Sequence, residues 1–331
     1  MKYYLKEFYA KEKHAGSKAR LDAEKIMIEA GYHPFFQNND SNSITLTEKD
    51  ILVLQFPLLW HSLKALILTK LLRKRQFKAY LLIHDIESLR NRSIKSFQDV
   101  KYAFLHFFQN KTVLERVDGI IAHNAKMKDV LVQLGIPEKK IISLEIFDYL
   151  IPHFEVKKTY EKRTVLVAGN FDIKKAKYAR QLPDNPEFSI FGINFEEENL
   201  PQNVHYKGAF SPEELPYYLE GGFGLVWDGD SPHTCSGMYG EFLKMNNPHK
   251  ASLYLASGFP IIVWRQSALA DFVRKNSCGI LVDSLFEIGD ILDSISNDEY
   301  EELIRNSKKI GDNICNGHYL KTALDKCERK L

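Results

Sequence analysis

YGEFLKMNNPHKASLYLASGFP, from Tyr239 to Pro260, reads as turn, helix and turn, and IIVW from Ile261 to Trp264 follows as a buried strand. Pro248 suits the first turn of a helix, where its missing amide hydrogen has no use. Gly258 suits the left-handed position just past a helix end. The helix then starts beside Lys250 and Ser252. Free backbone N–H groups, the positive end of the helix dipole and one ammonium would converge there, which suits a phosphate or diphosphate. The same residues also fit a plain Pro-started helix that carries an exposed lysine on its first turn.

The chain has 331 residues, more than one hydrophobic core ordinarily supports, so two domains are expected. The composition is 44% hydrophobic and 27% charged, as in soluble globular proteins. A net charge of +2 gives no footing for nucleic acid as a main partner, which usually requires a strongly basic domain. Cys235, Cys278, Cys315 and Cys327 form no C-x-x-C pair and read as reduced thiols of a cytoplasmic protein. The first residues are charged and aromatic, unlike a signal peptide, and no apolar run is long enough to span a bilayer.

In the first half, Met1 to Ala10 reads as a strand and His14-Ala15-Gly16-Ser17 as a loop. Lys18 to Ala30 reads as an amphipathic helix. No G-x-G-x-x-G occurs there. Asp50 to Phe56 is a continuous apolar run, as a central parallel strand requires. Leu58 to Arg75 is helical and its end is basic, with Lys70, Arg73, Lys74 and Arg75 followed by Lys78. This fits either a cationic end matching its own dipole or a patch for an anionic membrane surface. Tyr80 to Ile83 is a strand closing on His84-Asp85-Ile86-Glu87, at the end where parallel sheets place ligands. Asp85 could equally cap a turn. Val100 to Val117 reads as a helix, and Asn124 as the N-cap of a helix running to Leu134.

The second half restarts with the strand Arg163 to Ala168, closed by Gly169-Asn170 and followed by Lys174, Lys175 and Lys177. This repeats the diphosphate pattern, although a charge run also fits a solvated face. Ser211, Pro212 and Glu214 read as N-cap, first turn and capping-box acid, with Phe210 as a staple on that helix. Gly222 to Trp227 is a strand, followed by Asp228-Gly229-Asp230. Two carboxylates at that spacing could chelate a hard cation, but a turn is the expected reading, because nearby lysines already supply positive charge.

The run Asn246-Asn247-Pro248-His249-Lys250, then Ser252 to Gly258 and Pro260, resembles the donor-binding segment of bacterial galactofuranosyltransferases and related glucosyltransferases. The chain also resembles that family at Ala15 to Ala19, His84-Asp85, Gly169-Asn170, Gly221 to Trp227 and Tyr239-Gly240-Glu241. The resemblance implies an α/β fold of the GT-B class, two Rossmann-like domains facing a central cleft. Residues 1–155 would form the acceptor domain, 156–312 the UDP-sugar donor domain, and 313–331 a helical tail packing back on the first domain. It implies that Lys250, the helix start at Ser252 and the basic residues after Gly169-Asn170 hold the diphosphate. Phe210 and Ser211 would line the nucleotide pocket. Gly16, Ser17 and His84 would line the cleft.

The expected reaction is transfer of a hexose, galactofuranose from UDP-galactofuranose first and glucose from UDP-glucose next, to a surface glycan, glycolipid or glycoprotein. Asn246, Asn247, Tyr239 and Glu241 are the donor-side candidates for sugar contacts. If the anomeric carbon inverts, a base must take the acceptor proton; Asp85 is the first candidate, with Glu87 and His14 behind it. No metal or other cofactor is expected. A cytoplasmic location, with peripheral contact at the inner membrane face through Lys70–Lys78, completes the expectation. A homo-oligomer and a non-catalytic sugar-nucleotide-binding subunit are left open.

Overall fold

A computed structural model describes residues 1–7, 15–35, 46–58, 72, 75–86, 112–152 and 160–329, with backbone only at 15 and 16. His14, Glu87, Lys70, the bulk of the helix expected over 58–75 and most of that expected over 100–117 lie outside the described residues; 112–116 are helical. The chain divides into two compact units. One comprises Met1–Glu12, Ala19–Glu145 and Tyr319–Leu331, the other Lys13–Lys18 and Ile146–His318. The main division falls at Glu145/Ile146, ahead of the boundary at 155 read from the sequence.

The first unit is built on β1 (Lys2–Leu5), α1 (Ala15–Glu29), β2 (His33–Phe35), β3 (Ile51–Phe56), β4 (Lys78–Ile83), β5 (Gly119–Ala122), α2 (Ala125–Gln133) and β6 (Ile141–Ser143). Its strands run parallel in the order β2-β1-β3-β4-β5-β6. Every residue of β3 is buried, as expected of an apolar run covered on both faces. Asn124 caps α2 by accepting from the Met127 amide at 2.9 Å. The expected loop at Ala15-Gly16-Ser17 is instead the first turn of α1. Helix starts tolerate small residues, and nothing in those three breaks the turn.

The second unit contains β7 (Tyr160–Asn170), α3 (Ile173–Ala176), β8 (Glu187–Ile193), β9 (Val204–Tyr206), α4 (Leu215–Tyr218), β10 (Gly221–Val226), α5 (Gly237–Phe242), α6 (His249–Ala256), β11 (Ile261–Trp264), α7 (Ala270–Asn276), β12 (Gly279–Val282), α8 (Ile288–Ser294) and α9 (Asn297–Cys315). Its parallel strands are ordered β12-β11-β10-β7-β8-β9. In chain order within this unit that is the doubly wound sequence whose direction reverses between its first strand, β7, and its fourth, β10. Ligands of such sheets bind outside the carboxyl ends at that reversal. The chain is thus a two-domain Rossmann-like α/β protein.

α6 sits on β10 because Gly224 has no side chain: a Cβ there would lie 2.0 Å from Cγ of Tyr254. The Tyr254 hydroxyl accepts from the Ala168 amide of β7 at 2.6 Å, so one residue of α6 touches both strands of the reversal. Pro248 proves to be the N-cap (ψ 135°) rather than the first helical residue, and Gly258 takes the left-handed position (φ 82°).

A last helix, α10 (His318–Glu328), returns to the first unit. It buries Leu320, Ala323, Leu324 and Cys327. Tyr80 donates to the Cys327 carbonyl at 2.9 Å, Tyr32 to Glu328 at 2.9 Å, and Lys2 pairs with Glu328 at 2.7 Å. Deleting residues 318–331 removes the burial of two leucines, worth about 1.5–3 kcal/mol each, and takes the hydrogen-bond partners from the Tyr80 and Tyr32 hydroxyls. Thermal melts should therefore show the first unit losing about 3 kcal/mol or more; an unchanged melt would contradict this docking.

Candidate functional site

Three segments meet where β7 and β10 end in the second unit: the Asn170 turn with α3, the loop after β10, and the start of α6. α3 is stitched to the β10 loop through backbone bonds from Gly229 N to Lys175 O (2.7 Å) and from Tyr178 N to Gly229 O (3.3 Å). Asp172 caps α3 by accepting from the Lys174 amide at 2.8 Å. Asn170 accepts through Oδ1 from the Asp172 amide at 3.0 Å and from Asn194 Nδ2 at 2.8 Å, which fixes the turn.

Lys250, in the first turn of α6, projects toward the end of β10. Its Nζ donates to the Trp227 carbonyl and to Asp228 Oδ1, each at 2.9 Å. The two charged side chains are 11% and 8% exposed. The exposed lysine of the plain-helix alternative is therefore not what is found. The lysine is enclosed and ion-paired, and two of its three hydrogens are used. Burial is the largest influence on its pKa and lowers it; Asp228 opposes that, and Lys175 adds to the lowering. Lys175 is thus a second positive charge felt by Lys250, and the Asp228 carboxylate pairs with Lys250.

Asn246 Oδ1, His249 Nδ1 and Ser252 Oγ are enclosed around the same helix start without a hydrogen-bond partner among the described residues. Buried polar atoms are normally paired, so three such atoms in seven residues mark a place where a polar ligand would complete the bonding. The His249 and Lys250 amides, the first two of α6, lack intrahelical partners by geometry, whereas the Ala251 amide donates to the Pro248 carbonyl at 3.0 Å. Together with the two lysine charges, this arrangement can hold a diphosphate and stabilise it as a leaving group. The first carboxylate of Asp228-Gly229-Asp230 is bonded to Lys250.

The family profile described as "Glucosyltransferase 3-like, C-terminal domain" matches residues 165–327, and "Glucosyltransferase 3-like, N-terminal domain" matches 2–146. The chain is 33% identical to the beta-1,6-galactofuranosyltransferase WbbI of Escherichia coli K12, over 98% of this chain and 97% of WbbI. It belongs to the glucosyltransferase 3-like family. The glucosyltransferase 3 of Streptococcus gordonii is 30% identical over 62% of this chain and 60% of its own. Among solved structures, the sucrose-phosphate synthase of Thermosynechococcus elongatus superposes with a TM-score of 0.66 at 14% identity, covering 99% and 98% of the two chains. Anabaena HepE, solved with UDP and glucose, gives 0.60 at 11%, covering 100% and 99%. These likenesses establish the fold as that of the GT-B glycosyltransferases, and the chain is a glycosyltransferase.

Other residues of this glycosyltransferase fall less centrally than the sequence suggested. Lys174 and Lys177 are exposed, and of the three lysines only Lys175 acts on Lys250. Glu241 is exposed and pairs with Lys244 at 2.7 Å; with Tyr239 it lies on α5, where a turn was expected. Asn247 is buried and Gly169 exposed. Ser211 and Glu214 form the reciprocal bonds of the capping box, but regular helix begins only at Leu215. Phe210 stacks on Tyr218 at 4.1 Å, as a packing residue would, so that ring face is not open to a base. In the first unit, His84 Nε2 meets Gln55 Oε1 at 2.7 Å, and the His84 and Asp85 amides both point to the Phe56 carbonyl.

Two residues of the site were not singled out from the sequence. Asp228 was read as part of a turn. His249 was quoted in the motif without a role. Its ring stacks on Tyr149 at 4.9 Å, and its Nε2 lies 3.1 Å from the Asp148 carbonyl. Tyr149 in turn lies under the ammonium of Lys18, 4.7 Å from the ring centre. The only sequence signal for either residue was its position beside Lys250 or at the end of β10.

Proposed function

We propose that this glycosyltransferase uses a UDP-hexose donor, with galactofuranose from UDP-galactofuranose as the sugar, and transfers it to a hydroxyl of a glycan, glycolipid or glycoprotein. The acceptor hydroxyl attacks the anomeric carbon. The bond from that carbon to the β-phosphate oxygen breaks, and UDP leaves with the electron pair. The observation that carries this reading is the enclosed Lys250 ammonium in the first turn of α6, held by Asp228 and the Trp227 carbonyl, with Lys175 as a further positive charge acting on it. Lys250, Lys175 and the first amides of α6 neutralise the departing diphosphate, in place of a divalent cation. Asn246, Asn247 and Ser252 hold the donor, and Asp85 takes the acceptor proton if the centre inverts. The near full-length likeness to WbbI supports galactofuranose. UDP-glucose is the second reading, supported by the glucosyltransferase name of the streptococcal relative.

Among the described residues no helix is long and apolar enough to cross a membrane. Contact with the inner membrane face through the basic region Lys70–Lys78 belongs to this proposal.

UDP release from UDP-galactofuranose and from UDP-glucose, measured over a panel of glycan acceptors with and without EDTA, tests it. The expected result is turnover favouring UDP-galactofuranose by about tenfold or more, as a site that hydrogen-bonds its own sugar discriminates, and insensitive to EDTA. A preference for UDP-glucose would replace the donor assignment. Loss of turnover in EDTA would remove the lysine-only account. UDP binding without release on any acceptor would make the protein a sugar-nucleotide-binding subunit.

A further inference from the structure

We infer that Asp228 is a positioning residue of the donor site: its carboxylate fixes the Lys250 ammonium under the start of α6 and keeps it charged for the diphosphate. The inference takes its ligand from the reading above, but the state of Lys250 can be measured without any ligand.

The geometry has three parts. Asp228 lies two residues past the end of β10 and just before Gly229, whose backbone bridges to α3, and its side chain is 8% exposed. Lys250 lies on α6, a separate element, and reaches Asp228 Oδ1 at 2.9 Å. A second bond to the Trp227 carbonyl sets the direction of the ammonium, so that its third hydrogen is the one left for a ligand. A lysine stem has four rotatable carbons and holds one direction only when such partners fix it.

The charge argument points the same way. Enclosure favours the neutral amine, and so does Lys175 on α3. Asp228 is the main group acting in the other direction, with a smaller part from the Cys235 thiol ahead of α5. The remaining titratable groups facing this cluster are Tyr178 and Tyr254, which sense Asp228, and Glu241 on α5, which senses Cys235. None of these is a full negative charge bonded to Lys250. Without the Asp228 carboxylate, burial and Lys175 both push Lys250 toward losing its proton, so its folded pKa falls further.

Asp228→Asn keeps the shape and an oxygen acceptor but removes the charge. Lys250 of the ligand-free protein is followed by the 13Cε shift of labelled lysine, assigned with Lys250→Arg, and UDP affinity is followed by calorimetry between pH 6.5 and 9. In Asp228→Asn the Lys250 titration should move to lower pH. UDP affinity should fall more at high pH than at low pH, by about tenfold at pH 9 against less than about threefold at pH 6.5. Adding Lys250→Arg should abolish that pH dependence, because a guanidinium stays protonated throughout.

An unmoved Lys250 titration would overturn the inference, as would an equal loss of UDP affinity at every pH, which marks a purely structural role. So would tighter UDP binding, which marks Asp228 as a competitor of the diphosphate. If Asp228→Asn fails to fold, a double variant with Lys250→Arg that remains pH-dependent would overturn it as well. Wild-type protein that shows the expected Lys250 titration but no affinity for UDP would instead remove the donor reading.

Discussion

Lys250→Ala is expected to lower UDP-hexose turnover by about a hundredfold or more, the usual cost of removing one preorganised donor at a developing negative charge. Lys250 is held by Trp227 and Asp228 and keeps one hydrogen for a ligand, so its electrostatic contribution is in place before the bond breaks. The substitution has a second consequence. It strands the Asp228 carboxylate, 8% exposed, without its partner, and breaking a buried pair from one side costs about 3–5 kcal/mol. A single variant would therefore mix loss of chemistry with loss of fold. Lys250→Ala combined with Asp228→Asn separates them: thermal stability should largely return, because no unpaired charge remains, while turnover should stay low. A double variant with wild-type turnover would show that the diphosphate is held elsewhere.

How much of this was legible beforehand follows from the range of each interaction. The α6 boundaries were readable within a residue because Pro248 and Gly258 act on their own backbone. The central strands were readable because ILVLQF and GFGLVW are continuous apolar runs of the right length. β2 escaped notice: three residues including Pro34, at the edge of its sheet, carry no period. The helix Gly237–Phe242 escaped because two of its six residues are glycine, which lowers local propensity, and packing against its surroundings decides the matter.

The partners of Lys250 were out of reach for a different reason. Asp228 lies 22 positions earlier, and the crossover from β10 to its parallel neighbour β11, which packs α6 on β10, brings it to the start of α6. Likewise, nothing in the sequence distinguishes Lys175 from Lys174 and Lys177. The turn of α3 and its backbone bond to Gly229 make that choice. Phe210 illustrates the opposite case. The staple, read from one residue before the cap, is what the packing shows, whereas a stacking role came only by family resemblance.

Acidification from pH 6.5 to 4.5 is expected to destabilise the protein, and two histidines set the window. His123 is 1% exposed, and burial pushes its pKa from 6.5 to about 3 against bonds to the backbone at Ile83 and His84. Burial also lowers His249 to about 4; Lys18 adds to this, while the Asp148 carbonyl opposes it. Both folded values lie below the unfolded value. Between them the unfolded chain binds the protons and the folded chain does not, so stability is complete above pH 6.5 and declines as the pH falls toward the folded values. At about 1.4 kcal/mol per pH unit the loss by pH 4.5 is on the order of 2–3 kcal/mol from His123 and less from His249, which is only partly enclosed. Asp50, held near 2 by the N-terminal ammonium and Thr47, enters only below its unfolded range near 4 and cannot mimic this window. Melting temperature against pH measures it, and His123→Gln, which takes up no proton, should flatten most of the slope. A flat wild-type curve from 6.5 to 4.5 would mean that these rings are protonated in the folded protein. His249 adjoins Lys250 at the start of α6, so a proton gained there adds a charge beside Lys18 and loosens the element that positions the ammonium. UDP affinity should therefore decline in the lower part of the same window, and a fall in stability without any fall in affinity would disconnect the His249 contact from the donor site.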